Sequence, residues 1–105
     1  MKNEKRKNSR SPISFPIECS ILPGKDYFYT VTKDLSVGGV RILSDAFLTK
    51  NNCLKLNINL IDKVMGLKAK VVWCNKERVS DRYSAGLEFV EMPEENKNYL
   101  NSIVE

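Results

Sequence analysis

The sequence predicts an all-β domain, a small barrel of six antiparallel strands followed by one C-terminal helix. Six short segments alternate apolar and polar residues with the two-residue period of a half-buried strand, and short connections separate them. After Pro93 the apolar residues recur at helical spacing instead. With 105 residues, the chain is long enough to bury one hydrophobic core.

The first two strands are predicted on either side of a turn at 23–24. From Ile13 to Ile21 every odd position is apolar, which predicts a strand with one buried face. Pro16 lies on the outward phase of this segment, so we expect the strand to lie at a sheet edge or to carry a bulge. The second strand, at 26–33, is rich in aromatic and β-branched residues.

Four further alternating segments complete the predicted barrel. We expect a short third strand at 40–43, a fourth at 54–60, a fifth at 65–73 and a sixth at 83–89. Trp73 ends the fifth alternation, and we interpret it as an aromatic of the core or of a barrel lid.

The C-terminal helix is predicted to begin at Pro93, because proline suits the first helical position. Glu94 and Glu95 favour the positive end of the helix dipole. A single apolar stripe follows, formed by Tyr99, Leu100, Ile103 and Val104. The stripe predicts a helix that packs on the barrel, although a second copy of the chain could use it to form a homodimer.

The excess positive charge lies at the N-terminus. The first ten residues hold five Lys or Arg and one Glu, whereas the other 95 hold twelve residues of each sign. We therefore expect one domain in three parts, with a basic arm at 1–12, a barrel at 13–92 and a helix at 93–105. Taken alone, a basic cluster is also typical of a solvated tail that keeps a protein soluble.

The residue types argue against several classes of function. Histidine is absent, which removes the commonest general base and the commonest metal ligand. The three cysteines form no Cys-x-x-Cys pair, so we expect neither a disulfide framework nor a zinc site. We expect a binding module and not an enzyme. We also expect a cytoplasmic location, because no apolar run approaches the roughly 20 residues of a membrane span and no apolar segment follows the charged N-terminus.

Two motifs are candidates for ligand binding. Arg6 and Arg10 form Arg-x-x-x-Arg before the first strand, and guanidinium groups can hold phosphates and stack on bases. Asp34, Ser36 and Gly39 belong to the segment DLSVGG between the second and third strands. A carboxylate can accept from the N1 and N2 donors of guanine, and glycine lets a backbone approach a flat ligand. The same residue types are also ordinary turn formers.

The segment RKNSR followed by DLSVGG resembles the signature of PilZ domains, Arg-x-x-x-Arg and then Asp-x-Ser-x-x-Gly. These domains bind the bacterial second messenger cyclic di-GMP. VVWCNK in the fifth strand and YSAGLEFVEM in the sixth are similar to later strands of the family, so the resemblance covers the chain from Arg6 onward. It implies a stand-alone, single-domain PilZ protein with a six-stranded split barrel and a role in regulating motility or biofilm formation.

The resemblance implies a role for each motif residue. Arg6 and Arg10 would hold guanine faces and phosphates of cyclic di-GMP. Asp34 and Ser36 would read a guanine edge, and Gly39 would keep the loop close to the ligand.

Lys5, Gly38 and Arg41 complete the candidate set of ligand-binding residues. Arg41 could reach a phosphate, although an outward-facing strand residue is the simpler interpretation. Lys5 occupies the position that the family associates with binding either one cyclic di-GMP molecule or an intercalated pair. A cation at that position favours the pair.

The basic arm indicates how a signal would leave the domain. Because a charged segment of ten residues cannot fold by itself, we expect the ligand to order residues 1–10 across the barrel mouth, where an unidentified protein partner reads the change. Two alternatives stay open: a PilZ-like adaptor or scaffold that binds no nucleotide, and a small nucleic-acid-binding barrel that uses the arm. The second alternative predicts basic residues spread over the barrel, whereas residues 11–105 carry no net charge.

Overall fold

The structure is a computed structural model of the chain, and it describes residues 13–24 and 26–104. Lys5, Arg6 and Arg10 therefore lie outside the described residues. The elements, in chain order, are β1 (Pro16–Ile21), β2 (Tyr27–Val31), β3 (Gly39–Ser44), β4 (Cys53–Asn59), β5 (Val64–Lys76), β6 (Tyr83–Glu91) and α1 (Glu94–Val104).

The six strands form one antiparallel sheet in the order β2-β1-β4-β5-β6-β3. The edge strands β2 and β3 meet at an isolated bridge between Thr32 and Ile42. Beside that bridge the Lys33 N–H donates to the Arg41 carbonyl at 2.8 Å. The sheet is thus a half-barrel whose edges touch at one end. This architecture confirms the predicted six antiparallel strands and C-terminal helix.

The apolar phase of the strands forms the core, as the two-residue period predicts. In β4, for example, Leu54, Leu56 and Ile58 are fully buried, and the residues between them are not. The helix adds Leu100 and Val104 to the same core, which confirms that its apolar stripe packs on the barrel. A homodimer through α1 stays a prediction and would have to use other residues of the helix. No helix among the described residues is long and apolar enough to cross a membrane.

The first strand differs from its prediction in two respects. It begins at Pro16 and not at Ile13, whose side chain is 57% exposed. The expected edge position is also wrong, because β1 lies between β2 and β4 with both ladders in continuous register. Pro16 opposes Val31 of β2, whereas the ladder with β4 starts one residue later, at Ile17. As the first residue of the strand, Pro16 removes no hydrogen bond from the β4 ladder.

Strands β3 and β6 approach each other closely at Gly39. A Cβ atom at this position would overlap the carbonyl oxygen of Leu87, whereas a Cβ atom at Gly38 would meet open space. No glycine among the described residues has a positive φ. Gly39 is therefore required for the space between two strands and not for an unusual backbone conformation.

Replacing Gly39 by alanine should destabilise the fold, because β3 would have to move away from β6. We expect Gly39→Ala to lower the free energy of unfolding by about 1–3 kcal/mol, the usual cost of overpacking. Gly38→Ala is the matched control and should change it by no more than about 0.5 kcal/mol. Urea unfolding followed by circular dichroism measures both values. Equal stabilities of the two variants would contradict the steric account.

Cys19 is a fully buried thiol in the middle of β1. Burial, with a smaller contribution from the neighbouring Glu18 carboxylate, raises the pKa of the Cys19 thiol from 9.0 to about 12. The thiol therefore behaves as a small apolar group of the core at neutral pH.

The raised pKa of Cys19 predicts a loss of stability at high pH. Because the pKa is higher in the folded chain than in the unfolded chain, the contribution is complete below pH 9.0 and is lost as the pH rises toward about 12. Cys19→Ala should reduce the slope of the unfolding free energy against pH above pH 9.0, whereas Cys53→Ala, which changes an exposed thiol, should leave it unchanged. Urea unfolding at a series of alkaline pH values gives these slopes. Identical slopes for the two variants would argue against a buried, protonated thiol.

Candidate ligand-binding site

The connection between β2 and β3 presents Asp34 and Ser36 on either side of Leu35. The Leu35 side chain is fully buried in the core, whereas its two neighbours are half-buried. Since successive side chains of an extended segment point to opposite sides, burial of Leu35 turns the carboxylate and the hydroxyl away from the core. One apolar residue thus anchors the segment that carries the polar motif.

Hydrogen bonds hold the tip of this loop. The Ser36 N–H donates to the Gly39 carbonyl at 2.9 Å, and the Ser36 hydroxyl donates to the same oxygen at 3.3 Å. The hydroxyl also accepts from the Gly38 N–H at 3.3 Å. The Gly38 carbonyl in turn accepts from the Phe89 N–H of β6 at 3.0 Å. The loop is therefore tied to the sheet on which it lies.

Arg41 of β3 forms an ion pair with Asp34 across the base of the loop. The Arg41 Nε donates to Asp34 Oδ2 at 2.9 Å, and Arg41 Nη1 donates to Ser84 Oγ of β6 at 3.3 Å. The Arg41 and Asp34 side chains are 37% and 38% exposed, so solvent screens the pair and its contribution to stability is small. Its main consequence is that one oxygen of the Asp34 carboxylate is engaged by a cation.

Trp73 of β5 is not an aromatic of the core, which corrects the first of the two interpretations drawn from the sequence. Its side chain is 41% exposed. The register of β5 on β6 shifts between Val71 and Trp73, so that Val72 is an additional residue and the alternation changes phase. Trp73 then opposes Gly86 of β6, where a Cβ atom would overlap the indole Nε1. The glycine lets the indole lie directly on the strand.

A sequence signal for the exposed Trp73 exists but is weak. The run VVW at 71–73 does not fit strict alternation, which indicates a break in the strand. Gly86 inside the sixth strand is a second indication, because an interior glycine often marks a close approach.

These residues line one groove of about 290 Å³, which we call the loop groove: Asp34, Ser36, Gly39, Val40, Arg41, Val72, Trp73, Gly86 and Leu87. The groove combines a carboxylate, a hydroxyl, a cation and an exposed aromatic face. This combination suits a flat ligand that carries both hydrogen-bond donors and negative charge. Within residues 13–24 and 26–104, no cluster of three carboxylate or thiol side chains is arranged to hold a metal ion.

Four of the predicted site residues line the loop groove together, namely Asp34, Ser36, Gly39 and Arg41. Gly38 lies at the tip of the same loop and bonds to Ser36. The remaining three, Lys5, Arg6 and Arg10, lie outside the described residues.

A second groove, of about 360 Å³, lies between the edge strands, and we call it the β2–β3 cleft. It is lined by Phe28, Tyr29, Thr30, Val31, Leu43, Asp45 and Arg82. Its two charged side chains form an ion pair, with Arg82 Nε 3.4 Å from Asp45 Oδ1. None of its lining residues belongs to DLSVGG.

Solved structures share this fold at low sequence identity. The inhibitor of motility MotI/DgrA from Bacillus subtilis superimposes with a TM-score of 0.80 at 17% identity, covering 97% of this chain and 50% of that chain. The PilZ domain of YcgR from Escherichia coli, solved with c-di-GMP, gives a TM-score of 0.75 at 15% identity over 96% and 89% of the two chains. The PilZ domain of CeSA from a cellulose-synthesizing bacterium gives 0.66 at 21% identity over 90% and 93%. This chain thus spans about half the length of MotI.

Sequence comparison identifies the family. No curated protein matches the chain. The family model of the PilZ domain matches residues 4–105, which include both the Arg-x-x-x-Arg segment and DLSVGG. The match extends over nearly the whole sequence and agrees with the half-barrel and its solved neighbours. The chain therefore belongs to the PilZ domain family.

Proposed function

We propose that this PilZ domain is a receptor for cyclic di-GMP and that the ligand occupies the loop groove. The observation that carries the proposal is the convergence of Asp34, Ser36, Arg41 and Trp73 on one groove beside the DLSVGG loop. The YcgR PilZ domain, solved with c-di-GMP, has the same fold. The β2–β3 cleft is slightly larger and also holds a carboxylate and a cation, but none of its lining residues belongs to the DLSVGG motif.

Each groove residue has a chemical role in this proposal. The Asp34 carboxylate accepts hydrogen bonds from guanine N1–H and N2–H, and the Ser36 hydroxyl accepts from or donates to the same base or its phosphate. The exposed face of Trp73 stacks on a guanine, because every base has a π-face that an indole can cover. Because Gly38 and Gly39 have no side chains, the ligand can come close to the backbone of the loop.

The basic residues before β1 supply the charge that the ligand requires. Arg6 and Arg10 hold the phosphates and stack on the guanine faces, as the PilZ resemblance implies. Lys5 leaves room for a second, intercalated cyclic di-GMP molecule, so that the ligand is bound as a pair.

The output of the domain follows from the same contacts. Arg6 and Arg10 fix the segment 1–10 against the barrel when the ligand is bound, and a protein partner reads the surface that this creates. A control of motility or biofilm formation would be one such output, since the fold also occurs in an inhibitor of motility. The partner protein has to distinguish residues 1–10 in the ligand-bound domain from the same residues in the ligand-free domain.

Calorimetric titration of cyclic di-GMP into the purified chain tests the proposal. Asp34→Ala and Arg10→Ala should each weaken binding by at least about tenfold, because each removes a charge-assisted hydrogen bond. Asp62→Ala is the matched control, since Asp62 is an exposed carboxylate in the β4–β5 turn, and it should bind like the wild type. The titration should be carried out near physiological salt concentration, because exposed contacts to phosphate weaken as ionic strength rises. Absence of both heat and a shift in melting temperature with the wild type would refute the receptor function. The molar ratio decides between one ligand and two.

Tryptophan fluorescence tests the position of the ligand. Trp73 is the only tryptophan of the sequence, so its emission reports directly on the loop groove. Cyclic di-GMP should quench this emission with the midpoint found by calorimetry, and Trp73→Ala should weaken binding about tenfold through loss of one stacked base. Val79→Ala, which shortens an exposed apolar side chain outside the groove, is the matched control and should bind like the wild type. Unchanged emission at saturating ligand would place the ligand elsewhere.

A further inference from the structure

Arg41 is held at two points within the loop groove. Its Nε donates to Asp34 Oδ2 at 2.9 Å, and its Nη1 donates to the Ser84 hydroxyl at 3.3 Å. Ser84 lies on β6 and is only 7% exposed, so it provides a rigid support behind the guanidinium. A planar guanidinium with two fixed contacts has little rotational freedom.

The backbone on both sides of this ion pair is fixed as well. Arg41 opposes Gly86 in the β3–β6 ladder, and its carbonyl accepts from the Lys33 N–H at 2.8 Å. Lys33 directly precedes Asp34 in the chain. The backbone hydrogen bond between Lys33 and Arg41 therefore holds the Asp34 and Arg41 side chains close to each other. Arg41 and Ser84 therefore connect one oxygen of the Asp34 carboxylate to the sheet.

We propose that Arg41 is a positioning residue that makes the site specific for guanine, which deepens the proposed function and rests on it. Arg41 holds one carboxylate oxygen of Asp34, so that the carboxylate meets both guanine N1–H and the exocyclic N2 amine in one plane. This role differs from the phosphate contact expected from the sequence. Asp34 and Ser84 already engage two of the five guanidinium donors, which leaves fewer donors for a phosphate.

The role has a consequence for ligand choice. Cyclic di-IMP has the same phosphates and ring faces as cyclic di-GMP but lacks the N2 amine. A carboxylate held in the guanine plane loses one hydrogen bond with cyclic di-IMP, whereas a carboxylate that can rotate discriminates less well between the two. The ratio of the two dissociation constants therefore reports the orientation of Asp34.

The experiment is calorimetric titration of both ligands into the full chain as wild type and as Arg41→Gln. The wild type should bind cyclic di-GMP at least about tenfold more tightly than cyclic di-IMP, and Arg41→Gln should weaken mainly cyclic di-GMP, so that the ratio falls toward one. Arg82→Gln is the matched control, because it removes an equally charged side chain from the β2–β3 cleft. A purely structural defect would weaken both ligands equally and leave the ratio unchanged.

Two further variants decide between positioning and direct contact. In Asp34→Ala, the additional change Arg41→Gln should cost nothing more, because no carboxylate remains to be positioned. Ser84→Ala removes only the rear support and should reduce the ratio in the same direction as Arg41→Gln, even where Arg41→Gln folds poorly. The positioning role would be overturned if the affinity losses of Asp34→Ala and Arg41→Gln multiply in the double variant. It would also be overturned if the ratio of dissociation constants is unchanged in both Arg41→Gln and Ser84→Ala. Either result would leave the proposed receptor function intact. A wild type that binds neither ligand would overturn the proposed function and this role with it.

Discussion

The architecture of the loop groove depends on one irregularity, the shift in register between β5 and β6 that lies between Val71 and Trp73. Val71 opposes Leu87 and Trp73 opposes Gly86, so Val72 is an additional residue on β5. Without this bulge, strict alternation from Val71 would keep Trp73 on the core face. The additional residue turns the indole toward solvent and onto Gly86, where it forms one wall of the groove.

Strand β6 connects this wall to the polar side of the groove. Its other neighbour is β3, which comes close enough at Gly39 that a Cβ atom would overlap the Leu87 carbonyl. The Gly38 carbonyl accepts from Phe89 of the same strand, and Ser84 of that strand supports Arg41. Trp73 and the motif loop thus both contact β6. The distance between them is therefore fixed by β-sheet geometry and not by the flexibility of the loop.

Much of this fold could be predicted from the sequence, because the two-residue period survives in most strands. The alternation in β4 predicts its buried residues correctly, and the stripe after Pro93 predicts the packed helix. The errors arise where a local pattern depends on its tertiary context. Pro16 has the outward phase of an edge strand, yet it starts a strand inside the sheet, and only the β4 ladder reveals the difference. Trp73 has the inward phase of the alternation in β5, and the bulge at Val72 turns it outward.

The candidate site also combines features that the sequence predicts with features that depend on tertiary context. Asp34, Ser36 and Gly39 were predicted from motif spacing and family resemblance, and they line one groove. The pairing of Arg41 with Asp34 is not encoded by any spacing in the sequence, whereas the interior Gly86 is a weak signal of the close approach of Trp73. The resemblance to the family thus identifies which residues form the candidate site, whereas the sheet determines how their side chains are oriented.

The central claim is that cyclic di-GMP binds in the loop groove, and a titration followed by two-dimensional ¹H–¹⁵N NMR tests it most directly. If the ligand binds there, the largest shifts will belong to the amides of residues 34–41 and 86 and to the indole N–H of Trp73. The amides of Tyr29, Leu43 and Arg82 in the β2–β3 cleft should change little. Shifts concentrated in the cleft, with an unmoved Trp73 indole resonance, would contradict the account.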